Sequence, residues 1–165
     1  MMLILENIAF KRKNSLLLND INGEIHRGDC VTVFGPNGAG KSTLIKIMVG
    51  LIKPSNGRVK ASWIKKNPIG YVPQQLGLFD GLTVGDHLQF YKKLTKQKNN
   101  NYVDEMIDIL DLESIMAKRT ENLSGGMKRK VNLAVGILHQ PEIIFLDEAF
   151  VGVDLAAKHD MLSWL

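Results

Sequence analysis

Gly35-Pro36-Asn37-Gly38-Ala39-Gly40-Lys41-Ser42 follows the pattern G-x-x-x-x-G-K-[ST], and its chemistry explains its spacing. Glycines let a backbone wrap closely around phosphate oxygens, where a Cβ would clash or forbid the needed dihedrals. Successive amide N–H groups and the N-terminus of a following helix supply donors and the positive end of a dipole. Lys41 can reach the β- and γ-phosphates, and the Ser42 hydroxyl can ligate Mg²⁺. A glycine-rich turn can match by chance. A β-branched run before this one and a helical run after it argue for a nucleotide site.

An acidic pair closes a second candidate segment, Ile143-Ile144-Phe145-Leu146-Asp147-Glu148. A carboxylate at the end of a buried strand, such as Asp147, can hold Mg²⁺ through its water shell. Glu148, next along, is placed to orient or deprotonate an attacking water. The pair read alone would also suit a solvated turn. Ser124, Gly125 and Gly126 open a helix, so their hydroxyl and amides form a second anion-binding end.

These residues need elements to hold them. Leu3 to Phe10 alternates as a strand does, Asn14 and Ser15 mark a turn, and Ile21 to Ile25 alternates again. After Gly28-Asp29, the run Cys30-Val31-Thr32-Val33-Phe34 predicts a short buried strand leading into the glycine loop. Lys41 to Val49 is a helix that Gly50 and Pro54 close. Thr83-Val84-Gly85-Asp86 has capping-box character ahead of a helix over His87 to Leu94. Val103, Met106, Ile107 and Leu110 share one helical face, as do Val131, Ala134, Val135 and Leu138 in the helix after Ser124. Ile143 to Leu146 predicts a strand covered on both faces. Asn99-Asn100-Asn101 reads as a loop tip. Strands, a helical stretch and a further buried strand give an α/β fold with a helical insertion.

Composition limits the alternatives. The chain has 165 residues, 45% hydrophobic and 23% charged, which suits one globular domain. Its charge of +4 is scattered over Lys11-Arg12-Lys13, Lys65-Lys66, Lys92-Lys93 and Lys128-Arg129-Lys130, as on a solvated face beside acidic lipid rather than in a nucleic-acid binder. A single cysteine, Cys30, excludes an intramolecular disulfide and fits a reducing compartment; at a strand start it reads as a small core residue. No apolar run has the length of a membrane span, so a soluble chain, or one attached through a partner, is expected.

Four motifs in order carry a resemblance. The glycine loop, Ile69-Gly70-Tyr71-Val72-Pro73-Gln74, Leu123-Ser124-Gly125-Gly126-Met127 and Ile143 to Glu148 resemble the P-loop, Q-loop, signature and Walker B segments of ATP-binding-cassette (ABC) ATPases. The resemblance runs from Leu3 to the end of the sequence. It implies an α/β P-loop NTPase core over residues 1–165, with an N-terminal antiparallel β subdomain and a helical signature-motif subdomain at about 76–138. It implies ATP and Mg²⁺ as cofactors. Gly35, Pro36, Asn37, Gly38, Ala39, Gly40, Lys41, Ser42 and Thr43 would bind ATP; Ser42, Gln74 and Asp147 would organise the metal; Glu148 would be catalytic. Ser124, Gly125 and Gly126 would face the γ-phosphate bound to an opposite subunit, in a head-to-tail dimer of two ATPase subunits. Gly152-Val153-Asp154 resembles the D-loop that communicates between the two sites.

The resemblance further implies a membrane permease as partner, no nucleic acid, and a cytoplasmic place on the inner face of the membrane through that permease. Phe79, Leu82, Phe90 and Tyr91 fall where such domains dock the permease, although core packing also explains them. Gly126-Met127-Lys128-Arg129-Lys130, Asn132-Leu133-Ala134-Val135 and Val151-Gly152-Val153-Asp154 look like ATPases of exporter-type permeases.

Departures from the family pattern are specific. Where the family stacks an aromatic residue on adenine this sequence has Arg12, whose guanidinium can also stack, with Phe10 two residues earlier. Ala149 and Phe150 replace the usual Pro and Thr or Ser. The family continues to a strand, placed between the P-loop and Walker B strands, that ends near a switch histidine. The sequence stops at Leu165, so that C-terminal part is expected to be missing, and His159 lies too near Asp154 to serve. His26, His87 and His139 suit surface or helix-end positions. The alternative to a transport ATPase is a nucleotide-binding module, or fragment, with little or no hydrolysis. A soluble cassette ATPase of translation or repair ranks last, because such proteins usually carry two cassettes or long coiled-coil insertions.

Overall fold

Alternating apolar residues make Leu3–Arg12 strand β1, which pairs with β2 (Ser15–Ile25) and β3 (Asn56–Ala61) in an antiparallel sheet of order β2-β1-β3. The computed structural model describes residues 2–13, 15–62, 69–150 and 158. In β1 the buried set is Leu3, Leu5 and Ile8, an odd-to-even switch that coincides with a register shift between Leu5 and Ile8. One extra residue in a strand flips the face of everything after it. Asn7 absorbs that shift at φ 50°, its backbone N–H donating to the Asn22 side chain at 2.7 Å.

β3 was not expected from the sequence. Its residues, Asn-Gly-Arg-Val-Lys-Ala, lack an apolar face, and only Val59 is half-buried. Pairing with β1 and the Glu6 carboxylate hold it, Glu6 accepting from Arg58 at 2.6 Å and from Lys60. Gly57, at φ 80°, meets the β1 backbone so closely that a Cβ there would lie 2.3 Å from the Glu6 and Asn7 carbonyl oxygens.

Cys30 to Phe34 does not form the expected strand. Cys30 is exposed, Val31 is 58% exposed and Phe34 97% exposed. A β-branched run becomes a strand only when a neighbour completes its hydrogen-bond ladder, and no described strand pairs with it. Helix α1 (Lys41–Met48) follows, burying Leu44, Ile45, Ile47 and Met48. These elements belong to one compact unit, Met1–Lys66; the second is Asn67–Leu165.

In the second unit β4 (Ile69–Val72) and β5 (Ile143–Leu146) pair in parallel, Ile69 beside Ile143 and Val72 beside Leu146. Phe145 is buried but Ile143, Ile144 and Leu146 are only half-buried, so β5 is not covered on both faces as expected. Helix α2 (Val84–Thr95) starts at the expected capping box: the Thr83 hydroxyl accepts from the Asp86 N–H and the Asp86 carboxylate accepts from the Thr83 N–H. Helix α3 (Asn100–Ile109) is capped by the Asn99 side chain, which accepts from the Tyr102 N–H at 3.2 Å. The asparagine run is thus a helix start rather than a loop tip, which suits asparagine's strength as an N-cap.

Val103, Met106 and Leu110 bury the expected face of α3 against a core shared with Val84, Leu88, Val131, Leu133, Ala134, Ile137 and Leu138. Helix α4 (Gly125–Ile137) lies on β4 at very short range. A Cβ on Gly136 would be 2.7 Å from the Val72 side chain, and one on Gly70 would be 2.9 Å from the Gly136 carbonyl oxygen. His87 is fully buried in the first turn of α2, a helix-end rather than a surface position. Its Nε2 accepts from the Phe79 N–H at 2.9 Å and its Nδ1 meets the Thr83 carbonyl at 2.9 Å. His26 is exposed, and His139 at the end of α4 meets the Ile69 carbonyl. Lys65-Lys66, the D-loop Gly152-Val153-Asp154 and His159 lie outside the described residues.

Candidate functional site

In the first unit the glycine loop turns directly into α1. Gly38 and Gly40 are left-handed, at φ 83° and 94°, and Gly40 is the residue before the helix begins at Lys41. Gly40 has no room for a side chain, since a Cβ would lie 2.9 Å from Leu18 Cδ2 and 3.1 Å from Leu17 Cγ. The loop closes on itself through the Ala39 N–H donating to the Pro36 carbonyl at 3.2 Å. Lys41 folds back over the loop, its Nζ donating to the Gly35 and Pro36 carbonyls at 2.8 and 3.0 Å. An ammonium held by two neutral carbonyls is poised to exchange them for phosphate oxygens, which are stronger acceptors. Ser42 and Thr43 occupy the first turn of α1. Arg12 ends β1 opposite Ser15, exposed at the hairpin tip of the strand whose Leu17 and Leu18 abut Gly40.

In the second unit the two acidic residues separate in environment. Asp147 is 3% exposed and its N–H donates to the Val72 carbonyl at 3.0 Å, extending the β4–β5 ladder by one residue. Glu148 is exposed and left-handed at φ 54°. A glutamate in that region costs about 1–3 kcal/mol, and Asn7, Lys13, Asp20, Lys96, Asp111 and Gln140 also adopt the conformation. Adjacent residues past a strand end thus place one carboxylate inward and one outward. Ala149 is buried, and Phe150 packs half-buried against the helical core.

Gln74 follows β4 by two residues and reaches across to β5, its Nε2 donating to Glu148 Oε2 at 2.6 Å. Parallel pairing brings the ends of β4 and β5 side by side, which is why residues 74 positions apart meet. The Tyr71 hydroxyl is buried without a well-formed hydrogen-bond partner among the described residues. Burial first, then the charge of Asp147, hold its phenol above the ordinary 10.0.

Ser124 caps α4, its hydroxyl accepting from the Met127 N–H at 3.3 Å, with Gly125 and Gly126 in the first turn. Two residues of this helix, read from sequence only as a surface charge and as part of exporter-like segments, make contacts the sequence did not announce. Arg129 donates to the Gln74 carbonyl at 2.5 Å, and the Asn132 amide meets Pro73 and Gly77 on either side of Gln74. Phe79 and Phe90 are 52% and 48% exposed and contact each other edge to face, so neither is the core residue that packing alone would make it.

Hard oxygen donors and a phosphate-shaped loop suit a nucleotide with Mg²⁺. In the first unit the left-handed glycines and the folded-back ammonium suit a phosphate, and in the second the buried Asp147 carboxylate beside the buried Tyr71 hydroxyl suits a hard cation. No described helix is long and apolar enough to cross a membrane.

The family model described as ABC transporter matches residues 18–151. The chain is 35% identical to the zinc import ATP-binding protein ZnuC of Rickettsia conorii, over 93% of its own length and 65% of that relative's. It is 31% identical to the linearmycin resistance ATP-binding protein LnrL of Bacillus subtilis, over 98% of its length and 56% of the relative's. It therefore spans less than two thirds of either relative. A bacterial ABC transporter cassette solved as a dimer matches 98% of the chain and 80% of its own, with a TM-score of 0.86 and 25% identity.

Proposed function

This chain belongs to the ABC transporter family, and on that premise we propose that it is an ATP-binding and ATP-hydrolysing part of a transport machine. Its P-loop core, N-terminal antiparallel sheet and helices are those of an ABC ATPase. In this reading residues 1–165 form one nucleotide-binding domain, with the helical part at about 76–138.

Residue roles follow from chemistry. Lys41 and the loop from Gly35 to Thr43 bind the phosphates, and Arg12 offers a flat cation to the base. Ser42, Gln74 and Asp147 supply oxygen donors for Mg²⁺, which when bound neutralises charge on the phosphates. Glu148 accepts a proton from water or orients it. The observation that carries the reading is Glu148 itself, displayed outward from the end of β5 in a strained conformation while its neighbour Asp147 is buried.

Ser124, Gly125 and Gly126 are assigned to the ATP of a second ATPase subunit, which a relative solved as a dimer supports. A separate membrane permease would receive the work, with the chain on the cytoplasmic face; the exposed Phe79–Phe90 pair suits such a docking partner. Relatives named for zinc import and for linearmycin resistance both match, so the lean to export drawn from Gly126 to Lys130 carries no weight here and the reading stops at transport.

Titration of the chain with Mg-ATP by calorimetry tests it, with Lys41→Ala as control. Saturable binding that the variant loses is expected. A turnover assay beside Glu148→Gln follows, and activity equal to background in both proteins would reject hydrolysis and leave a nucleotide-binding module.

A further inference from the structure

The segment Pro73 to Gly77 carries Gln74 and has no regular secondary structure, yet it is gripped at three points by one helix. Asn132 is 3% exposed, and its amide is used on both sides: Nδ2 donates to the Pro73 carbonyl at 3.3 Å, and Oδ1 accepts from the Gly77 N–H at 3.0 Å. Arg129, three residues earlier and so on the same face of α4, donates to the Gln74 carbonyl at 2.5 Å. The two ends of the bend are thus held, as is the main chain of the residue whose side chain reaches Glu148 at 2.6 Å.

We propose that Arg129 and Asn132 are positioning residues: a side-chain clamp on α4 that fixes the Gln74 main chain so that its amide meets Glu148. The proposal rests on the roles assigned above to Gln74 and Glu148. Three observations favour a clamp over incidental packing. A buried primary amide would cost free energy unless satisfied, and among the described residues this one is satisfied by the two ends of the bend that holds Gln74. A guanidinium on a lone carbonyl is a charge-assisted bond that restrains one peptide rather than a surface. Both residues belong to the helix capped by Ser124, so a force applied at the Ser124 end has a short covalent and hydrogen-bonded path to Gln74 and Glu148. The clamp therefore ties the end assigned to a second subunit's ATP to the pair assigned to this chain's own water.

The test uses NMR on the full chain and reads the Gln74 side-chain amide directly, with Glu148→Ala marking its position when the contact is absent. Arg129→Ala and Asn132→Leu are expected to move that resonance most of the way to the Glu148→Ala position, and Asn132→Leu, which removes the acceptor of the Gly77 N–H, to speed Gly77 amide exchange ~10-fold or more, the loss of one hydrogen bond. Arg129→Lys is expected to keep the resonance near its unaltered position. In a parallel Mg-ATP assay, Arg129→Ala should lower kcat by roughly 10- to 100-fold and leave KM within about threefold, as misplacement of a reacting group does. A Gln74 resonance unmoved in Arg129→Ala and Asn132→Leu overturns the clamp. So does a moved resonance with an unchanged kcat, which would make the contacts purely structural. If the unaltered chain has no turnover, the resonance still decides the clamp, and only the role given to Glu148 falls. Asn132 is buried and its variant can misfold; half-buried Arg129 then carries the result.

Discussion

The Gln74 side-chain amide donates to the Glu148 carboxylate at 2.6 Å, joining the segment after β4 to the turn two residues past β5. A carboxylate only accepts, so the amide nitrogen must face it, which aims the Gln74 oxygen away. In the roles proposed above, that oxygen is the atom a cation would use, and the nitrogen would keep Glu148 in place as a general base. One side chain could then serve two charges of opposite sign without rotating.

Replacing Gln74 by Glu sets two carboxylates at that distance, where both cannot stay ionised. One carboxyl is then raised above its unfolded value, so the native state keeps its stability at low pH and loses it as pH rises through the raised value. The thermal midpoint of Gln74→Glu should match that of Gln74→Met at pH 4 and fall below it at pH 8. Equal midpoints at both would show that the two side chains do not meet.

Gly40 and Gly38 are both left-handed, but only Gly40 is enclosed. Gly40→Ala adds a clash with Leu17 and Leu18 to the backbone strain, and should cost about 1–3 kcal/mol and weaken ATP binding at least ~10-fold. Gly38→Ala meets open space and should cost about 1–2 kcal/mol, the strain alone. Thermal unfolding and nucleotide titration separate the two.

Gly57→Ala is expected to disrupt β3. Its Cβ would meet two main-chain oxygens of β1, which unlike a flexible side chain cannot swing away. The loss should exceed about 2 kcal/mol, against about 1–2 kcal/mol for Gly28→Ala, where φ is 87° and nothing lies near. Chemical denaturation of both variants gives the comparison.

The capping box on α2 should be acid-labile. Hydrogen bonds from the Thr83 side chain, then from its backbone, hold the Asp86 carboxyl below its ordinary 3.8. A depressed carboxyl stabilises the fold above its unfolded value, and that contribution is lost as pH falls through the native one. Amide exchange at the start of α2, corrected for intrinsic rates, should therefore quicken below about pH 3.8 in the unaltered chain, and not in Asp86→Asn.

What could be read from the sequence was local. The glycine loop, the Thr83–Asp86 box and the apolar faces of α3 and α4 each lie within a few turns of chain, where spacing dictates geometry. β3 was invisible because its stability comes from its partner rather than its own side chains. Cys30 to Phe34 misled for the converse reason, having strand composition without a described partner. Gln74 and Glu148 were named one by one, but the bond between them depends on the parallel register of β4 and β5. The Asn132 grip on Pro73 and Gly77 depends likewise on α4 lying over β4, and no pattern of residue types announces either.

The close seam between Gly136 of α4 and Gly70 of β4 has a mechanical meaning. Helices usually ride on sheets over a cushion of interlocked side chains that can slide and repack. Here backbone lies close against backbone, and the nearest atoms are the Val72 side chain, a proline ring and two carbonyls. Such a joint has little give, so helix and strand must tilt together as one beam. A load at either end of it would arrive at the other undamped.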